Sequence, residues 1–134
     1  MSCMDALHLG FRDAAFDTVI CIQNGISAFH VDQRKLIREA VRVTRAGGMA
    51  LFSTYSNKFW AERMHWFELQ AAEGLLGEID YDKTGDGVIV CRDGFTATTL
   101  SPQGLLDLTE EINAESRITE IDESSLFLEV IPRK

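Results

Sequence analysis

The sequence predicts an α/β fold around a mixed sheet whose first strands run parallel and whose C-terminal strands run antiparallel. Three observations predict it. Two short apolar runs flank a segment of helical period, two later strand-like runs are joined by Asp93-Gly94, and an apolar run over residues 125–131 closes the chain. The first run, Phe16-Asp17-Thr18-Val19-Ile20-Cys21-Ile22, is nearly continuous, rich in β-branched residues, and stopped by Gln23-Asn24-Gly25. A strand buried in a parallel sheet has this pattern.

From Asp32, which can cap, Leu36, Ile37, Ala40, Val41 and Thr44 repeat at helical spacing, while Arg34, Lys35, Arg38 and Arg42 take much of the wet side. Ala46-Gly47-Gly48 is expected to end that helix, because glycine accepts the left-handed backbone of a C-cap. Met49-Ala50-Leu51-Phe52-Ser53-Thr54 then reads as a second buried strand, completing a parallel crossover unit. Ser56-Asn57 can cap a further helix over 58–76, with Trp60, Met64, Phe67, Ala71 and Leu75 on one stripe and Phe59 and Trp66 widening it. A polar loop at 82–87 leads into a hairpin of residues 88–92 and 95–100. Ser101-Pro102 opens a helix through about residue 115, with Leu105, Leu108 and Ile112 facing inward. No internal repeat or linker interrupts this order, so residues 1–134 are expected to form a single domain. Sheets of this kind carry ligands at the carboxyl ends of their parallel strands, here Gln23-Asn24-Gly25 and Thr54-Tyr55-Ser56.

Composition narrows the partners. The chain is 46% hydrophobic and 25% charged, enough for one core, and its net charge of -8 provides no basic field for nucleic acid or anionic lipid. No run approaches the roughly 18 apolar residues of a membrane span. Cys3, Cys21 and Cys91 are odd in number and lack metal or redox spacing, so no metal site is expected and a reducing, cytoplasmic setting is. Cys21 and Cys91 lie in apolar runs and read as buried, inert thiols.

Four features in fixed order carry a resemblance: Asp5-Ala6 with Leu9 and Phe11, then Phe16-Asp17-x-Val19, then Leu36-x-x-Glu39-Ala40-x-Arg42-Val43, then Gly47-Gly48. Over residues 3–54 the chain resembles the class I, Rossmann-like S-adenosylmethionine-dependent methyltransferases. In that family an Asp-Ala pair follows the third strand, Phe-Asp-x-Val opens the fourth, and a Glu-Ala-x-Arg-Val helix precedes Gly-Gly and the fifth. The later antiparallel elements suit the family's last two strands. Family members usually carry proline where this chain has Gly10 and Ala46. The resemblance places the first strand and its Gly-x-Gly turn, which holds the methionine end of the cofactor, upstream of residue 1. Gly85-Asp86-Gly87 does not replace that turn, because it leads into a hairpin rather than joining strand to helix.

The resemblance implies S-adenosylmethionine as cofactor and assigns its contacts. Asp5 matches the acid that accepts from the adenine amino group, and the Ala6 backbone faces the same ring. Ile22, Gln23 and Asn24 match positions lining the methionine part near the transferred methyl. Asp17 matches a family position with a structural role. Methyl transfer is a displacement that alignment accelerates, so no obligatory catalytic residue is implied. Where the acceptor must lose a proton, His30, His65 and Tyr55 are the candidate bases. The broad apolar face of helix 58–76 reads first as core packing, but in the family this helix helps cover the acceptor, so the resemblance also allows a small-molecule acceptor, aromatic or lipid-like.

Three readings follow. The first is a methyltransferase C-terminal part that needs upstream strands for activity. The second is a non-catalytic, methyltransferase-like interaction module. The third is half of another nucleotide-binding enzyme, such as a dehydrogenase, which a parallel last strand would favour. In the family sheet the first strand lies beside residues 18–22. Without it that edge is expected to drive homo-oligomer formation or to be covered by residues 1–9 folding back.

Overall fold

The computed structural model describes residues 2–134. Strand β1, Phe16–Cys21, is followed by a short helix α1, Gly25–Ala28, and by α2, Gln33–Val43. Asp32 caps α2 by accepting from Lys35 N at 3.0 Å. Helix α2 buries Leu36, Ile37 and Ala40, as the spacing predicts, together with Val43, whereas Val41, expected on the same stripe, is half-buried. It ends at Val43 rather than at the glycines, and Thr44 turns its Oγ1 back to Ala40 O at 2.7 Å. Strand β2 therefore already starts at Thr44 and runs to Tyr55.

Gly47-Gly48 is an irregularity inside β2, not a helix cap as expected from sequence. Phe16 pairs with Thr44 but Thr18 pairs with Met49, so the extra residues loop out between them. Gly47 has φ +75°, and a Cβ on Gly48 would stand 2.5 Å from Asp17 O. Gly47 is needed for its left-handed backbone, and Gly48 because the two backbones approach closely there.

Helix α3, Trp60–Ala72, follows a single 3-10 turn at Asn57–Phe59. It is shorter than 58–76, and Leu75, expected on its apolar stripe, is 73% exposed beyond the left-handed Gly74. Strands β3, Ile89–Val90, and β4, Thr96–Ala97, form the hairpin around Asp93-Gly94. It stands as a separate two-stranded sheet. Ser101 caps α4, Pro102–Asp107, through Gly104 N at 3.1 Å. That helix stops well before residue 115, because Ala114–Ile121 is a strand, β5, paired antiparallel with β6, Ser125–Pro132.

The main sheet has the order β1-β2-β6-β5, with β1 parallel to β2 and the rest antiparallel. An antiparallel last strand removes the feature that would have favoured a dehydrogenase half. One face of the sheet presents Ala50, Phe52, Leu126, Leu128 and Val130 to Ile26 of α1, Leu36, Ile37 and Ala40 of α2, and Leu105 of α4. By strand alternation Ile20, Leu51 and Phe127 point to the other face, where Leu51, Thr119, Ile121, Phe127 and Glu129 line an open depression of about 280 Å³. A second cluster joins Phe67 of α3 to Ile79 and Ile89, with Trp60, Met64 and Ala97 against it. Cys91 is buried as expected, whereas Cys21 is half-buried, and burial pushes both thiols up. Among the described residues no helix is long and apolar enough to cross a membrane.

Candidate functional site

The predicted site residues fall on two segments that border one cluster. Ala6 and Leu7 pack against the same core as Val19 and Cys21 of β1. What holds the first segment there is the Glu39/Arg42 pair of α2. Glu39 Oε1 accepts from Leu9 N at 2.7 Å, and Arg42 donates to Leu9 O at 3.0 Å, Phe11 O at 2.9 Å and Asp13 Oδ1 at 2.6 Å. Arg42 also forks onto Glu39, with bonds of 2.8 and 2.7 Å. The Arg42 side chain holds the Glu39 carboxyl below its ordinary range, and Arg42 is pushed up in return. The Glu-Ala-x-Arg pattern is thus a clamp on residues 9–13. Sequence reading quoted it as a motif without seeing its work.

Asp5 forms a turn: Oδ1 accepts from Leu7 N at 2.9 Å and Oδ2 lies 3.1 Å from His8 Nδ1. The Leu7 amide first, then His8, holds this carboxyl down. It is exposed, so its oxygens keep room for another donor. Asp17, at the start of β1, pairs with Arg45 Nε at 2.7 Å.

The second segment is the carboxyl end of β1. Gln23 and Asn24 both have left-handed backbones, φ 56° and 59°, a strained conformation for two consecutive residues with side chains. Ile22 and Gln23 are exposed. Asn24 is buried, with Nδ2 donating to Thr98 O at 2.9 Å and Oδ1 accepting from Thr54 Oγ1 at 2.8 Å. This amide ties the ends of β1 and β2 to the segment after β4. Thr54, one of the strand-end residues expected to lie at a ligand site, is buried, and its hydroxyl is committed to Asn24.

Two cavities flank these ends. A small one of about 80 Å³ is lined by Asn24, Ser27, Ala28, His30 and residues 95–98. A larger, open one of about 430 Å³ lies at the start of α3, lined by Asn57, Trp60, Asp86 and Gly87. Of the candidate bases, His30 lines the small cavity, Tyr55 stacks on Phe59 at 6.3 Å, and His65 lies exposed on α3.

Arg63 was missed altogether. It is 2% exposed and donates to Gly87 O at 3.1 Å and Ala97 O at 3.0 Å, while its Nε has no partner. Its Cζ lies 5.3, 5.8 and 5.6 Å from the ring centroids of Tyr55, Trp60 and Phe67. Burial pulls its proton affinity below the ordinary arginine value. The available signal was its spacing of three from Trp60 and four from Phe67, on the buried stripe.

Residues 1–52 match a family model described as a methyltransferase domain. An S-adenosylmethionine-dependent methyltransferase from Methanosarcina mazei superposes with a TM-score of 0.65 at 17% identity, over 98% of this chain and 66% of that one. A second, from Clostridium acetobutylicum, gives 0.61 at 14% identity, over 99% and 64%. The fold is that of a class I methyltransferase. A Pyrococcus horikoshii protein also superposes, with a TM-score of 0.60 at 18% identity over 97% of this chain and 57% of that one. No curated protein matches the sequence. The chain thus spans between 57% and 66% of the length of the three structures named.

Proposed function

We propose that the chain is the C-terminal portion of an S-adenosylmethionine-dependent methyltransferase and moves a methyl group to a small-molecule acceptor once strands beside β1 complete the site. The observation that carries this reading is the carboxyl end of β1. It is a strained backbone at Gln23-Asn24, at the end of a parallel edge strand, with Ile22 and Gln23 open to solvent beside it. Unfavourable backbone of this kind concentrates where ligands are held.

The residues present fit one half of the cofactor. The exposed Asp5 carboxylate suits the adenine amino group, and the clamp of Glu39 and Arg42 fixes the segment that carries it. Ile22 and Gln23 would border the methionine part. Asn24, its amide engaged at both ends, would contribute through its backbone. For the methionine end these residues offer no Gly-x-Gly turn between a strand and a helix. When bound, the cofactor supplies an electrophilic methyl on a sulfonium. The protein's part is to align the acceptor and exclude water. His30, beside Asn24, is the base we favour for an acceptor that must lose a proton.

The test is the coding sequence directly upstream of residue 1. A strand followed by Gly-x-Gly in frame supports the proposal, and a stop codon with no such turn contradicts it. The second reading, an interaction module, is favoured by the edge itself, where Phe16, Ile20 and Ile22 are exposed. It predicts self-association through β1. We keep the single-domain and cytoplasmic assignments as part of the first proposal.

A further inference from the structure

Arg63 poses an electrostatic problem that the proposed reaction does not use. Five other arginines, Arg38, Arg42, Arg45, Arg92 and Arg117, meet carboxylates, and Arg12, Arg34 and Arg133 are exposed. Arg63 alone is buried with no acid paired to it among the described residues. Two carbonyls and three ring faces solvate the guanidinium partially, but none carries a full negative charge. Its Nε is the one buried side-chain nitrogen or oxygen without a partner among those residues.

The uncompensated charge sits behind the wall of the larger cavity, one residue removed from the space itself. Gly87, whose carbonyl it binds, and Trp60, whose ring it stacks on, both line that space, whose volume of about 430 Å³ suits a small ligand. Asn57 lines it too, at the turn that runs into α3, so the positive end of a helix of 13 residues faces the same region. We infer that this cavity takes the anionic group of the acceptor, a carboxylate or phosphate, with Arg63 and the start of α3 supplying the opposing charge. The word acceptor rests on the methyl-transfer reading, whereas the anion site does not need it. Asp86, exposed on the same wall, opposes an anion and makes the inference sharply testable.

The experiment is a nuclear magnetic resonance titration of the 134-residue chain with sodium phosphate, benzoate or benzylamine, each against sodium chloride at matched ionic strength. Saturable shifts at the Asn57 and Gly87 amides and the Trp60 indole are expected with phosphate or benzoate, and whichever saturates identifies the class. Asp86→Asn should tighten that binding by about threefold or more, and Arg63→Met should weaken it by about tenfold or more. Arg63→Lys, which keeps the charge without the fork, should fall between. If Arg63→Met does not fold, Asp86→Asn decides alone. Absence of saturation by either anion, unchanged or weaker anion binding in Asp86→Asn, or saturation by benzylamine that Asp86→Asn abolishes would overturn the inference. Cofactor binding is read separately, so losing the anion site leaves the methyl-transfer proposal standing, and the converse holds.

Discussion

Asn24 has its amide engaged at both ends, and the consequence is a stability prediction. Replacing it with alanine leaves the buried Thr54 hydroxyl and the half-buried Thr98 O without these partners. Asn24→Ala should therefore lower stability by about 1–3 kcal/mol in urea denaturation. A change near zero would mean that these bonds do not hold the strand ends together. Glu39 makes a different prediction, with a definite sign. Its folded pKa is depressed, so its contribution is present above the ordinary carboxylate value of about 4.3 and is lost as pH falls through the lower, folded value. Arg42 stays charged throughout. The protection factor of the Leu9 amide should fall on acidification below about pH 4 while core amides such as Val130 hold, and Glu39→Gln should abolish that difference. Leucine and isoleucine positions in α2 were legible from spacing because burial follows periodicity. The roles of Glu39, Asn24 and Arg63 were not, since each depends on a partner that lies far along the chain, at Leu9, Thr98 or Gly87.

At the scale of elements, the two edges of the sheet differ in chemistry. The β5 edge carries Glu115, Arg117 and Glu120, and Arg117 pairs with Glu129 of β6 while Glu120 meets Lys58 at 2.6 Å. Charges of this kind discourage further pairing. The β1 edge instead shows Ile20, 61% exposed, and Phe16, so it is the edge expected to pair. The chain should self-associate in light scattering at micromolar protein. Ile20→Lys should shift it toward monomer while changing the unfolding stability of the monomer by no more than about 0.5 kcal/mol, because the side chain is exposed in the single chain. A wild-type monomer whose β1 amides exchange freely would contradict this. The same contrast explains what the sequence concealed. Strands β1, β2 and β6 are apolar and were recognisable, whereas β5 reads Ala-Glu-Ser-Arg-Ile-Thr-Glu-Ile, too polar to separate from the helix before it. The Asp93-Gly94 turn was recognised, but not that its hairpin packs with α3 rather than joining the main sheet.

For the whole molecule, helices α1, α2 and α4 cover one face of the sheet, while Ile20 and Ile121 stay exposed on the other and β1 stays an open edge. Sheets of the doubly wound type bury both faces, so this surface is where a methyltransferase fold would be completed. Four ordered motifs made that fold readable over residues 3–54, and the structural likeness extends it across 97–99% of the chain in the three structures named. The central claim is that the cofactor site is only half built by these residues, and calorimetric titration of the 134-residue chain with S-adenosylmethionine tests it directly. The account predicts no binding in the micromolar range, and micromolar binding would contradict it.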